Sequence, residues 1–231
     1  IIIFFFFLTN ILQLMYSISI SHQKVGIENG IEENYDVDSA ALSVIEQLIF
    51  TQKNCILESI KPYLVFDSES QQVREIGIKL LNSIIINCKL EEQEIFNFLE
   101  VIVVHINDPI ARVKEASLWA LHAICYKKIL PLEVVKTFCE KNDCVLFEVL
   151  LSFLTEISDD DSSNLAAISC EILSLFVINN VDGCFQSIFD IFFQIVSELQ
   201  KMNSDSNLAF VQIRIEKVLL NFDTNILKNG F

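Results

Sequence analysis

A nine-residue pattern that returns along the chain at intervals of about forty residues constrains the fold more than any other feature. Residues 73–81, VREIGIKLL, place an apolar side chain at the start, a small one at plus four, and apolar ones at plus five, seven and eight. Residues 113–121, VKEASLWAL, repeat it, as do residues 165–173, with Ser169 and Cys170, and residues 37–45, with Ala41 and Leu42. Residues 211–219 fit less well, because Ile215 takes the place of the small residue. The starts at 37, 73, 113, 165 and 211 are 36, 40, 52 and 46 residues apart.

An offset of four returns to one face of a helix, so a small residue there lets a neighbour approach closely while the flanking apolar residues fill the seam. Each run therefore reads as the inner helix of a stacked array. Each run after the first is preceded by a second apolar helical stretch, at residues 55–66, 92–106, 144–157 and 183–202. Polar stops separate the two: Asp67 with Ser68 and Ser70, Asn107 with Asp108 and Pro109, residues 159–163, and residues 203–207. Asp and Ser cap helix N-termini by accepting from unpaired backbone N–H groups, and Pro109 suits a first helical turn. Helix pairs repeated at this period predict an all-α protein, an α-solenoid of about four to five repeats over residues 37–222. Residues 1–20 then form an apolar leader, 21–36 a linker and 223–231 a C-terminal tail.

Composition agrees. Of 231 residues 52% are apolar, too many for a disordered chain, while five Gly and three Pro are too few for a barrel or sandwich of many short strands. With 16 basic against 31 acidic side chains the net charge is −15, which opposes the counterion release that drives nucleic-acid binding. Direct nucleic-acid binding is not expected. The seven cysteines, Cys55, Cys88, Cys125, Cys139, Cys144, Cys170 and Cys184, form no CxxC pair and are odd in number. They read as reduced, mostly buried thiols of a cytoplasmic or nuclear protein. His122, Cys125, Cys139 and Cys144 match no structural zinc spacing.

Residues 1–20 carry no charge, a mark of a membrane anchor or a signal. Against that, they lack a basic leading segment and spend Thr9, Asn10, Gln13, Ser17 and Ser19 within a window barely long enough to span. The Ile and Phe runs also resemble translated AT-rich sequence, with Met15 as a natural start, and a packed helix is the third reading.

Residues 107–116, NDPIARVKEA, resemble the turn and second helix of the HEAT family of helical repeats, as does Asp67 followed by Val73 and Arg74. The resemblance implies a ladder of hydrogen-bonded charges in which Asp67 and Asp108 are the acids and Arg74 and Lys114 the bases. Asp160 and Asp205 keep an acid in later repeats, but Ala166 and Gln212 replace the base. Within the HEAT proteins, the tubulin-binding arrays carry basic turns where this chain has DSES, NDP, SDDD and NSDS. The order of the motifs is similar to the HEAT family described as activators of the ATM kinase, which implies a scaffold in DNA-damage signalling. Nuclear import receptors, also acidic solenoids, are the alternative, and a membrane-associated adaptor anchored by residues 1–20 is another.

No catalytic constellation stands out. His22, His105 and His122 have no nucleophile or carboxylate at informative spacing, and glycine-rich phosphate loops, GxSxG and HExxH are missing from the sequence. The chain reads as a non-enzymatic scaffold for protein partners, without a cofactor or a metal site. Its charge favours partners with basic surfaces or peptides. Asp159, Asp160 and Asp161 have the residue type to bind a cation, but three consecutive acids in a turn read as solvated cap residues, with an interface as the other reading. Trp119, at plus six of its run, is either an interface residue or packed between adjacent repeats.

Overall fold

In the computed structural model the runs that begin at Val37, Val73, Val113 and Leu165 all fall on helices. The structure describes residues 35–142, 146–155 and 162–179, together with Asn10, Gln13, Tyr16 and Ser17. The run at 211–219, its preceding stretch at 183–202, the acidic turn Asp159, Asp160 and Asp161, and Asp205 lie outside the described residues. Every described element is helical: α1 (Tyr35–Gln52), α2 (Gln71–Asn87), α3 (Glu92–Ile106), α4 (Ala111–Tyr126), α5 (Leu132–Lys141), α6 (Leu146–Thr155) and α7 (Ser162–Ile178). Among the described residues no helix is long and apolar enough to cross a membrane.

The chain divides into two compact units, Ile1–Val101 and Ile102–Phe231. In the first, α1 packs against α2. Ile45 and Ile49 of α1 and Ile76, Leu80 and Ile84 of α2 meet Ile56, Leu57 and Ile60 from the connecting segment in one buried cluster. Tyr16 packs on this cluster, its ring centroid 4.9 Å from that of Tyr63, so one residue of the apolar leader takes part in the core. The stretch 55–66 was expected to be a helix and is broken instead into the short turns Lys53–Cys55, Leu57–Ile60 and Lys61–Tyr63. Lys53 enters the left-handed region at φ 49°, and Pro62 supplies no backbone N–H to continue the helix of Leu57–Ile60. Asn54 fastens this segment, its carboxamide accepting from the backbone N–H of Lys89 at 2.8 Å and donating to the Lys89 carbonyl at 2.6 Å.

Gly77 shows why the plus-four residue is small. A Cβ there would stand 2.6 Å from the backbone carbonyl oxygen of Val65, closer than two such atoms can sit, so the connector lies directly on the α2 backbone.

In the second unit α7 packs against both α4 and α6. The equivalent small residues, Ser117 and Ser169, are fully buried. Ser117 returns its hydroxyl to the Val113 carbonyl at 2.8 Å, whereas the Ser169 hydroxyl has no hydrogen-bond partner among the described residues. Phe147 of α6 meets Phe176 of α7 edge-on at 5.3 Å. Between α4 and α7 the chain makes two helices rather than the one expected, because α5 forms behind Pro131 and buries Leu132, Val135 and Cys139 on one face. This third helix accounts for the longest spacing, 52 residues, between runs.

The turns differ in detail from the capping scheme. Asp108 accepts from the Ile110 N–H at 2.9 Å, and α4 starts after that, at Ala111, which leaves Pro109 ahead of the first turn. Ser70 stands at the N-cap of α2, but its hydroxyl donates to Gln72 at 2.8 Å rather than capping the helix.

Candidate functional site

Counting from the start of each run exposes a second regularity. The plus-thirteen residue is a large apolar side chain left open on every described inner helix: Phe50 (57% exposed), Ile86 (40%), Tyr126 (67%) and Ile178 (43%). Four residues earlier, at plus nine, stands a half-buried polar residue each time: Glu46, Asn82, His122 and Ser174. Plus six holds Ser43, Lys79, Trp119 and Glu171, also off the buried seam. Steps of three and four keep these positions on one helical face, so each inner helix turns one stripe to the core and another away from it.

In the second unit the stripe is aromatic and acidic. Trp119 is 41% exposed although the residues beside it, Leu118 and Ala120, are fully buried. Its ring meets the His122 imidazole edge-on at 5.7 Å, and the imidazole stacks on Tyr126 at 5.6 Å with planes 18° apart. From α7 the Glu171 carboxylate comes within 3.4 Å of His122 Nε2 and keeps half of its surface in solvent. Burial between the rings pushes the imidazole below its ordinary pKa, against the smaller opposing pull of Glu171. The result is a neutral ring stack flanked by an open negative charge. Aromatic faces beside a carboxylate attract cations, most strongly a planar guanidinium. Lys127 and Lys128 follow Tyr126 in exposed positions and bound the patch at the end of α4.

In the first unit the two charges among these positions, Lys79 and Glu46, already have partners. Lys79 Nζ lies 2.6 Å from Glu75 Oε1. Burial raises the Glu46 carboxyl above its usual range, against the pull of Lys79 and a hydrogen bond with Ser83. The Asn82 side-chain oxygen is buried without a hydrogen bond among the described residues.

Arg74 donates to the backbone carbonyls of Ser68 at 2.7 Å and Glu69 at 3.2 Å. Asp67 is exposed in that turn and Asp108 is buried in its own, while the Lys114 ammonium lies over the Phe153 ring at 5.4 Å. Among the described residues no group of three or more His, Cys, Asp and Glu is placed to hold a metal. Cys125 is buried and its thiol is pushed up to about 12, which keeps it protonated and unreactive. In the sequence Trp119 stands out as an interface candidate and His122 only as a histidine without zinc-ligand or catalytic partners, while Tyr126 and Glu171 draw no notice. The signal was present: 119, 122 and 126 share a helical face, and Glu171 holds the same plus-six position in its run as Trp119.

No protein-family model matches the chain, and no curated protein matches it in sequence. Solved structures do. A designed armadillo repeat protein in complex with the peptide (KR)4 is similar over 91% of this chain and 91% of its own, with a TM-score of 0.53 and 14% identity. A second designed armadillo repeat protein gives a TM-score of 0.53 and 15% identity over 91% of this chain and 93% of its own. The fold is an all-α solenoid of armadillo-like helical repeats, in keeping with the three helices α5, α6 and α7 of the last described repeat.

Proposed function

We propose that the protein is a non-enzymatic scaffold that docks extended, basic segments of partner proteins on the α4/α7 face. The observation that carries the reading is the ring row Trp119, His122 and Tyr126 beside the open Glu171 carboxylate. The recurrence of an open stripe at the same positions of each inner helix supports it, since solenoids recognise partners with such repeated surfaces. Two further observations are in keeping with a basic partner: the net charge of −15, and the basic peptide held by one of the fold's solved neighbours. At the level of the assembly, the sequence resemblance to the ATM-activator HEAT family motivates a nuclear and cytoplasmic scaffold in DNA-damage signalling, with a nuclear transport receptor as the alternative.

The test is direct binding. An N-acetylated, fluorescently labelled (KR)4 peptide is titrated with the full chain and read by anisotropy, alongside a (DE)4 peptide. The basic peptide binds and the acidic one does not. Trp119→Ala and Glu171→Gln each weaken binding about tenfold or more, as expected for an aromatic anchor and a charge in contact. Equal binding of the two peptides, or full affinity in both variants, would remove the reading.

A further inference from the structure

His122 lies at the centre of the proposed docking face, yet it is the one member of the ring row whose charge changes near physiological pH. Its surroundings define what that change does. From α7 it faces Glu171, with Nε2 and Oε2 3.4 Å apart. Along α4 its neighbours one turn away are Leu118, Trp119, Cys125 and Tyr126, of which Leu118 and Cys125 are buried and Trp119 and Tyr126 enclose the imidazole with their rings. Glu171 is thus the charged group that acts on it.

We propose that His122 gates the α4/α7 face: while neutral it leaves the Glu171 carboxylate to a partner's cation, and once protonated it takes that carboxylate for itself and releases the partner. The inference rests on the reading of this face as a dock for basic segments. Two effects act together on protonation. The imidazolium neutralises the Glu171 carboxylate, and it sets a positive charge within a few ångström of where the partner's ammonium or guanidinium would sit. A proton and a basic side chain therefore compete for one site, and linkage makes the competition reciprocal. Burial between the rings delays protonation to pH values below the ordinary range of histidine, so the face stays open at neutral pH and closes on mild acidification.

The experiment is the (KR)4 titration of the full chain at constant ionic strength from pH 7.5 to 5.0, for the unaltered protein and for His122→Gln. N-acetylated, the peptide has no basic group that titrates in this window. The dissociation constant of the unaltered protein rises with falling pH, by up to tenfold per unit once His122 titrates, as for displacement by one proton. His122→Gln, which gives up one ring of the row, binds more weakly at pH 7.5, and its dissociation constant stays nearly level as the pH falls. In parallel, the His122 ring protons followed by NMR titrate below the ordinary histidine range, and Glu171→Gln moves that titration lower still by removing the one favourable charge. Binding with a flat profile, or the same acid loss in His122→Gln, overturns the gate and leaves the docking reading standing. Absence of (KR)4 binding at every pH overturns both.

Discussion

The inner helices of the two units share one positional plan and spend it differently. On α2 of the first unit, plus six is Lys79, already held by Glu75 at 2.6 Å, and on α1 plus nine is Glu46, whose carboxyl is favoured in its neutral form by burial. On α4 and α7 of the second, the same positions give Trp119, His122 and Glu171, a ring row with an acid that keeps half its surface in water. Charges satisfied within the fold have little left to offer a ligand, whereas an aromatic surface beside an open carboxylate does. A repeat fold can thus hold its architecture constant and place recognition in one unit by changing three positions per helix.

The plus-four position carries the same contrast into the core and gives the largest expected effect. Helix propensity alone favours Gly77→Ala by about 1 kcal/mol. The Val65 carbonyl, 2.6 Å from where the new Cβ would stand, opposes it with a backbone atom that cannot rotate away. Overpacking of this kind costs roughly 1–3 kcal/mol, so Gly77→Ala is expected to lower stability by about 1 kcal/mol net, and Gly77→Val by more. Urea denaturation followed by circular dichroism reads both. A Gly77→Ala protein more stable than its parent would show that the connector does not lie on α2.

Ser169, at the equivalent position of the second unit, moves the other way. Its hydroxyl is fully buried and has no hydrogen bond among the described residues, a cost of about 1–3 kcal/mol that an apolar replacement avoids. Ser169→Ala leaves a void of only one oxygen, so a gain of about 1 kcal/mol is expected. Ser117→Ala, which removes a 2.8 Å bond to the Val113 carbonyl, is expected to gain less or to lose slightly. If the two serine variants behave alike, the distinction drawn between them is wrong.

How much of this could be read from the sequence depends on what each signal encodes. The inner helices were legible because burial along one face imposes a 3.6-residue period, and α3 coincides with the expected stretch of residues 92–106 for the same reason. The broken connector was not: residues 55–66 are apolar enough for a helix, and the interruption comes from the left-handed Lys53, from Pro62 and from the Asn54 clamp to a backbone 35 residues away. The helix α5 was passed over although Leu132, Val135 and Cys139 show the period, because ten residues between two polar segments look like part of a long loop. In the site, Trp119 was conspicuous by residue type alone. Glu171 could be joined to it only by comparing repeat positions, since contact between α4 and α7 is a property of stacking and not of either segment.

The smallest effect is the most discriminating, because the two plus-nine residues should answer a fall in pH with opposite signs. His122 has a lowered pKa in the folded protein, so the stability it supports is fully present above its unfolded value of about 6.5 and is lost as pH falls from there through the folded value. Glu46 has a raised one, so its ionisation penalises the fold at neutral pH, and that penalty disappears as pH falls through its folded value toward the unfolded 4.5. Urea titrations between pH 7.5 and 4.5, with Trp119 as the sole tryptophan reporting on the second unit and circular dichroism on the whole chain, separate the two. Glu46→Gln is expected to be the more stable protein at pH 7.5, with its advantage shrinking on acidification. His122→Gln starts level with or below its parent and draws ahead in relative terms as the parent loses stability on the acid side of 6.5. Parallel pH curves for all three proteins would mean that neither residue is buried as described, and that the contrast between the units ends at their solvent-facing side chains.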